Sequence, residues 1–122
     1  MTRLLSTVVP ALLAKDLDET LAFYAKLGFA VTGRSPADAP RWAEVARDEV
    51  RLQFHLDPPH GTPAEPVMSG TLYLRPDSVE ELAAELRDTV PFAWGPEVMP
   101  YGMRELAVQD PNGYYLAFAE PA

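Results

Sequence analysis

Cysteine is absent from the 122 residues of this sequence, and histidine occurs only twice, at His55 and His60. Without cysteine the chain has no disulfide bonds, no thiolate zinc sites and no cysteine nucleophile. The lack of cysteine also fits a reducing compartment, so we expect a cytoplasmic protein. The sequence contains neither a Gly-x-Ser-x-Gly turn nor a phosphate-binding glycine-rich loop, so it gives no support for a nucleophilic serine or a nucleotide site.

Positive charge is also scarce, with 10 Lys and Arg residues against 18 Asp and Glu residues and a formal net charge of −8. Binding to a nucleic acid backbone depends on clustered Lys and Arg, so we expect no nucleic acid partner. No apolar run reaches the roughly 18 residues that a membrane span needs, and we expect no membrane partner either. The length and the hydrophobic fraction of 48% predict one globular domain with a sizeable core.

The pattern of predicted elements occurs twice along the chain. In each half a strand is followed by a helix with apolar residues at helical spacing, and then by three short strands. A stretch rich in proline and glycine, DPPHGTPAEPVMSG, separates the halves. We therefore predict one domain over residues 1–122, with module one at about 1–57, a linker at about 58–69 and module two at about 70–122. The predicted fold class is α+β, in which two βαβββ modules form a curved mixed eight-stranded sheet with both helices on its convex side.

Two stretches resemble a known family. Residues 15–29, KDLDETLAFYAKLGF, resemble the first helix of the glyoxalase / bleomycin resistance / dioxygenase superfamily, also called the vicinal oxygen chelate fold. Residues 101–118, YGMRELAVQDPNGYYLAF, resemble its closing hairpin. Within the superfamily the chain looks most like the metal-free, antibiotic-binding bleomycin resistance proteins. This resemblance implies a homodimer, and Pro10 is consistent with a first strand that is exchanged between the subunits.

Metal-dependent members of this superfamily hold their ion with His and carboxylate side chains at four strand positions. By resemblance, those positions in this sequence are Val9, Gln53, Thr71 and Ala117. These four side chains offer one amide oxygen and one hydroxyl, whereas divalent cations need several His nitrogens or carboxylate oxygens. We therefore expect no metal and no other cofactor.

Candidate ligand-binding residues are aromatic, methionine, amide, imidazole or carboxylate side chains that could line the concave face. Strand alternation places Gln53, His55 and Tyr115 on the concave side. Aromatic side chains there give stacking and attract cations to their faces. Each candidate also has a plainer interpretation: core or dimer packing for the aromatic residues, a half-exposed strand position for His55, and a solvated strand face for Glu105. The full set is Trp42, Gln53, His55, Tyr73, Trp94, Tyr101, Met103, Glu105 and Tyr115.

Three functional hypotheses follow. The leading one is a metal-independent protein that binds and sequesters an aromatic or cationic antibiotic-like natural product without breaking a bond. The alternative is a metal-independent enzyme of the same superfamily that acts on a small metabolite, with His55, Glu105 or Tyr115 as acid or base. The third is a small regulatory or accessory protein whose cavity is vestigial.

Overall fold

The computed structural model describes residues 1–5, 7–58 and 60–122. Module one contains one helix and four strands: β1 (Ala11–Leu13), α1 (Leu17–Lys26), β2 (Ala30–Ser35), β3 (Trp42–Arg47) and β4 (Val50–His55). Module two repeats this order: β5 (Leu72–Leu74), α2 (Val79–Leu86), β6 (Trp94–Val98), β7 (Met103–Gln109) and β8 (Tyr115–Pro121). The predicted α+β class with two βαβββ modules is confirmed.

The eight strands divide into two mixed sheets of four, one in each module. Their strand orders are β1-β4-β3-β2 and β5-β8-β7-β6. In each sheet the first strand runs parallel to the last one, and the other neighbours are antiparallel. The two sheets are therefore built alike, and the single eight-stranded surface expected from the sequence consists of two separately hydrogen-bonded halves.

One face of each sheet packs against its helix. On β4 the side chains of Leu52 and Phe54 are buried, and on β8 those of Leu116 and Phe118 are buried. All four belong to a single apolar cluster that also contains the inner faces of α1 and α2. Because alternate residues of a strand point to opposite faces, the residues between them lie on the other, concave face of each sheet.

The sequence offers Asp16 or Asp18 as the cap of the first helix and Gly28 as its end, and in the structure Asp16 is the cap. The Asp16 carboxylate accepts a hydrogen bond from the backbone N–H of Glu19 at 2.9 Å, which caps the first turn. Leu17, Leu21 and Tyr24 form the buried stripe at helical spacing. Gly28 follows the C-cap with a φ of +86°, a conformation that glycine adopts without steric cost.

The closing turn of module two fastens the two modules together. Asp110 lies in this turn and accepts a hydrogen bond from the Tyr24 hydroxyl of α1 at 2.8 Å. The Asn112 amide donates to the Thr20 hydroxyl at 3.0 Å and accepts from the backbone N–H of Lys15 at 2.9 Å. These contacts are buried or partly buried, so they fix the turn against the start of α1.

The first strand is shorter than predicted. The sequence favours a strand over residues 4–14, whereas β1 contains only Ala11–Leu13 and lies at the edge of its sheet. Proline has no backbone N–H, and Pro10 contributes only its carbonyl, which accepts from the Gln53 N–H at 2.9 Å. Before it, Leu4, Leu5 and Val8 are about nine-tenths exposed. Of the helices in the described residues, neither combines the length and the apolar character of a membrane span.

Candidate functional site

The concave face of module two has alanine side chains on its two central strands and aromatic side chains on its two edge strands. In the register of the sheet, one row crosses all four strands: Trp94 on β6, Ala107 on β7, Ala117 on β8 and Tyr73 on β5. Neighbouring strands are about 4.8 Å apart, so the backbones of the two aromatic residues are separated by about 14 Å. Both alanines are fully buried although they lie outside the helix-side cluster, so neighbouring side chains cover them.

A carboxylate is buried at the centre of this face. Glu105 is 0% exposed, and its two oxygens each accept one hydrogen bond. The indole N–H of Trp94 donates to Oε1 at 3.2 Å, and the hydroxyl of Tyr101 donates to Oε2. The expectation that Glu105 lies on a solvated strand face is therefore wrong. Donors from the indole and the phenol take the place of water around this carboxylate, which is what burial of a charge requires.

Tyrosine hydroxyls continue this hydrogen-bond network to the opposite edge of the sheet. The hydroxyl of Tyr101 lies 3.2 Å from that of Tyr73. Because β8 lies between β7 and β5, the pair Tyr101–Tyr73 bridges β8 on the concave face. Beyond Tyr115, the side chains of β8 on that face are those of Ala117 and Ala119, and their small size leaves room for the bridge. Hydrogen bonding to Glu105, and secondly to Tyr73, raises the pKa of the Tyr101 hydroxyl.

Trp94 is held from two sides. Its ring is 5.5 Å from the Tyr115 ring, centroid to centroid, at an interplanar angle of 37°. The sequence PFAWGPEV predicts a strand, and residues 94–98 of it form β6. This strand contains a β-bulge between Trp94 and Glu97, where Gly95 has a φ of +80° and lies directly against the backbone carbonyl of Glu105. The bulge turns the indole toward the carboxylate.

The concave face of module one carries a second polar group. Glu44 of β3 is paired with Gln53 of β4, whose amide donates to Oε2 at 3.0 Å. The hydroxyl of Thr32 donates to Oε1 of Glu44 at 2.8 Å, and Arg51 lies 3.4 Å from the same oxygen. The hydrogen bonds from Gln53, and then from Thr32, lower the pKa of the Glu44 carboxyl. The amide nitrogen of Gln53 therefore helps to fix the Glu44 carboxylate.

Trp42 and His55 form the next cross-strand pair on this face. Both are half-buried, and the indole of Trp42 covers Gly33 of β2. The Nδ1 atom of His55 lies 2.8 Å from the backbone carbonyl of Asp57. A carbonyl oxygen only accepts, so Nδ1 carries the proton and Nε2 is the acceptor nitrogen in the neutral ring. The ring orientation is therefore set locally, by a residue two positions away.

The nine candidate residues thus fall into two groups. Module two brings together Tyr73, Trp94, Tyr101, Glu105 and Tyr115 through direct contacts, and Met103 lies two residues before Glu105 on the same face of β7. Module one brings together Trp42, Gln53 and His55. Sequence reasoning missed the role of Gly95, for which the dipeptide Gly-Pro in a strand was the available signal.

The positions of the superfamily's metal ligands do not fit an ion. Gln53 offers one neutral amide oxygen, and its amide nitrogen donates to Glu44. Ala117 offers only a methyl group beneath the tyrosine bridge. Val9 and Thr71 contribute an apolar side chain and one hydroxyl. In residues 1–5, 7–58 and 60–122, no three His, Cys, Asp or Glu side chains converge as a metal site.

A separate groove of about 600 Å³ runs between the modules on their helix side. Apolar residues such as Phe29, Leu82 and Phe118 line its floor, and charged residues including Arg47 and Glu85 line its rim. None of the nine candidates lines this groove. The concave faces remain open in one chain because a four-stranded sheet has nothing in its own module to cover its second face.

Known proteins support the same architecture. The sequence profile of the Glyoxalase/Bleomycin resistance protein/Dioxygenase superfamily matches residues 5–118. Among curated proteins, no sequence matches this chain.

Three solved structures have the same fold over nearly the whole chain. A bleomycin-binding protein complexed with bleomycin has a TM-score of 0.75 at 23% identity, over 97% of this chain and 100% of that one. A bleomycin resistance determinant encoded on the transposon Tn5 has a TM-score of 0.73 at 25% identity, over 96% and 98%. TnmS3, an antibiotic binding protein from Streptomyces sp. CB03234, has a TM-score of 0.73 at 24% identity, over 99% and 100%.

Proposed function

The chain belongs to the Glyoxalase/Bleomycin resistance protein/Dioxygenase superfamily, and we propose that it binds and sequesters a small aromatic, cationic natural product of the antibiotic type. The observation that carries this proposal is the buried carboxylate of Glu105 inside a group of aromatic side chains on an open sheet face. The relatives described as bleomycin-binding, or as antibiotic binding, support the same class of ligand.

The chemistry of this face suits a flat cation. Trp94 and Tyr115 present aromatic surface for stacking, and the faces of aromatic rings attract positive charge. Glu105 adds a negative charge whose field is little screened because the carboxylate is out of contact with water. The formal net charge of −8 favours the approach of a cation over long distances.

Binding without turnover is supported by the state of the polar groups. Both oxygens of Glu105 already accept hydrogen bonds, from Trp94 and from Tyr101. A general base must reach the proton that it abstracts, and a carboxylate enclosed in this way is better suited to a fixed electrostatic role. The residues at the superfamily's metal positions do not fit an ion either, so the proposal contains no metal-assisted step.

Tryptophan fluorescence tests the proposal, because the chain has only two tryptophans, one on each concave face. We expect bleomycin or another aromatic cationic antibiotic to produce a saturable change, and the signal to survive in Trp42→Phe, where Trp94 is the only reporter. Mass spectrometry of the recovered antibiotic should show an unchanged mass. A saturable response with none of the antibiotics tested would refute sequestration, and a changed mass would favour the enzyme.

We further propose that two chains pair, because each concave face needs a cover. The apolar residues before Pro10 support this, since Leu4 and Leu5 are 94% and 87% exposed. Burial of a leucine side chain is worth about 1.5 to 3 kcal/mol, which favours a partner surface for them.

Analytical ultracentrifugation tests the pairing. We expect the wild-type chain to sediment with twice the mass of one chain, and the double variant Leu4→Asp/Leu5→Asp to sediment as a monomer. Val67→Asp is a suitable control, because Val67 is also exposed, at 69%, but lies in the linker between the modules. A monomeric wild type, or a control variant that dissociates equally, would contradict the pairing.

A further inference from the structure

The network on the concave face of module two has a direction. An ionised carboxylate has no proton to donate, so Glu105 only accepts. The single hydroxyl proton of Tyr101 is therefore used in its hydrogen bond to Glu105. The raised pKa of Tyr101 is consistent with a hydroxyl that keeps this proton at neutral pH.

The direction of the next hydrogen bond follows. The oxygens of Tyr73 and Tyr101 are 3.2 Å apart, and on distance alone either could donate. Since the proton of Tyr101 is already committed, Tyr73 must donate to Tyr101. The chain then runs Tyr73 to Tyr101 to Glu105, with every proton pointing toward the buried carboxylate.

This direction decides what Tyr73 can offer to a ligand. Tyr73 is 57% exposed at the edge of the sheet, whereas Glu105 is buried. Its only proton points inward, so its outward lone pairs can act only as acceptors. Hydrogen bonds in a chain also strengthen one another, so a negative charge at the inner end makes the outer oxygen a better acceptor.

We propose that the Tyr73 hydroxyl oxygen accepts a hydrogen bond from a ligand ammonium group that carries N–H donors, and that Glu105 sets this preference through Tyr101. The inference rests on the proposed function, because it specifies which cation that site selects. Glu105 is a positioning residue here. It does not contact the ligand, but it orients the two tyrosine hydroxyls so that a positively charged hydrogen-bond donor is preferred. A quaternary ammonium, which has no N–H, gains only the attraction of the aromatic faces and of the charge.

Three small probes separate hydrogen bonding from charge. Phenethylammonium carries a positive charge and N–H donors, N,N,N-trimethylphenethylammonium carries the charge alone, and 3-phenylpropionate is a negative analogue of similar size. Their binding to the full chain at pH 7 is followed by tryptophan fluorescence. We expect phenethylammonium to bind about tenfold or more tightly than 3-phenylpropionate, as a charge-assisted hydrogen bond would produce.

Two substitutions then test the direction of the network. Tyr73→Phe removes the acceptor, so it should weaken the binding of phenethylammonium by about tenfold. The affinity for the trimethyl analogue should change by less than about twofold. Glu105→Gln is isosteric, and its amide N–H donates to Tyr101 and reverses both tyrosine hydroxyls. Tyr73 then donates its proton to the ligand. Phenethylammonium should therefore bind more weakly, and 3-phenylpropionate should bind more tightly.

The control is Tyr114→Phe, which removes a tyrosine hydroxyl on the helix side of the sheet, where it donates to the Leu13 carbonyl, and leaves the network intact. It should leave the preference among the three probes unchanged. The inference is overturned if phenethylammonium gives no saturable signal, if Tyr73→Phe weakens both cations equally, or if a folded Glu105→Gln keeps the wild-type preference. Should Glu105→Gln fail to fold by circular dichroism, the Tyr73→Phe comparison decides alone. If the inference is overturned but bleomycin still binds, the proposed sequestration stands. If the ammonium probes behave as expected but no antibiotic binds, the inference stands and sequestration is refuted.

Discussion

We expect Gly95→Ala to be among the most damaging single substitutions in this chain. An alanine Cβ at this position would lie 2.0 Å from the backbone oxygen of Glu105 and 3.1 Å from the Cα of Leu106. Both atoms belong to β7, which cannot give way as a flexible side chain would. The φ of +80° adds the cost of a left-handed conformation. Together these effects should lower the free energy of unfolding by about 3 to 5 kcal/mol.

Chemical denaturation and a thermal melt measure this loss, and Gly102→Ala supplies the control. Gly102 has a similar φ of +86°, but nothing lies within 4 Å of a Cβ built there. It should therefore show only the conformational cost of about 1 to 2 kcal/mol. Equal effects at the two positions would show that the contact of β6 with β7 is looser than the structure implies. Because the bulge also aims Trp94 at Glu105, a folded Gly95→Ala should lose ligand binding as well.

The second large effect is expected at the closing turn. Asp110 is 4% exposed, and its carboxylate accepts hydrogen bonds from the Tyr24 hydroxyl and from the backbone N–H groups of Asn112 and Tyr114. Asp110→Ala leaves these three donors without their acceptor, so it should lower the free energy of unfolding by about 3 kcal/mol. Tyr24→Phe leaves one carboxylate oxygen unpaired and should cost about 2 kcal/mol.

Urea denaturation of these variants tests the claim that the turn fastens the modules. Asp57→Ala is a matched control, because it removes the same charge from an exposed pair with Arg41. Exposed ion pairs contribute little to stability, so its midpoint should stay close to that of the wild type. A wild-type midpoint for Asp110→Ala would mean that the docked turn is dispensable.

Asp110 should also make the stability of the folded chain depend on pH. Burial raises the pKa of the Asp110 carboxyl above its ordinary value of 3.8, against the opposing hydrogen bonds from Tyr24 and the turn backbone. The folded chain therefore binds this proton more tightly than the unfolded chain. Its stabilising contribution is full below the unfolded pKa and is lost as the pH rises through the folded pKa. The stability difference between wild type and Asp110→Asn should accordingly fall as the pH rises from about 3 toward neutrality, and a difference that grows would indicate the opposite shift.

The elements of the fold were predictable because each carries a local signal. Asp16 before α1 and Gly28 after it mark the helix by capping chemistry that acts over three or four residues. Alternation sorted Leu52 and Phe54 from Gln53 and His55, because a strand has only two faces. The first strand was overextended, since apolar residues before Pro10 look like a strand whether or not a neighbouring strand is there to pair with them.

The candidate site was predictable as a set of residues but not as a network. Tyr73, Tyr101 and Glu105 are named by their chemistry and by their strands, yet the bridge among them depends on β8 lying between β5 and β7. The burial of Glu105 was missed for the same reason. A single strand shows which face a residue is on, but not whether an indole from the next strand will close over it.

The sequence by itself determined the two βαβββ modules, the superfamily and the mismatch at its metal positions, because these depend on local periodicity and on which side chain stands at each position. Only the tertiary structure decided that Ala117, in the place of a metal ligand, lies under a tyrosine bridge to a buried carboxylate. The direction of that bridge follows from the donors and acceptors of Tyr73, Tyr101 and Glu105. Tyr73 and Tyr101 are 28 residues apart along the chain, and Tyr101 and Glu105 are 4 residues apart. Such an arrangement exists only when the strands have paired.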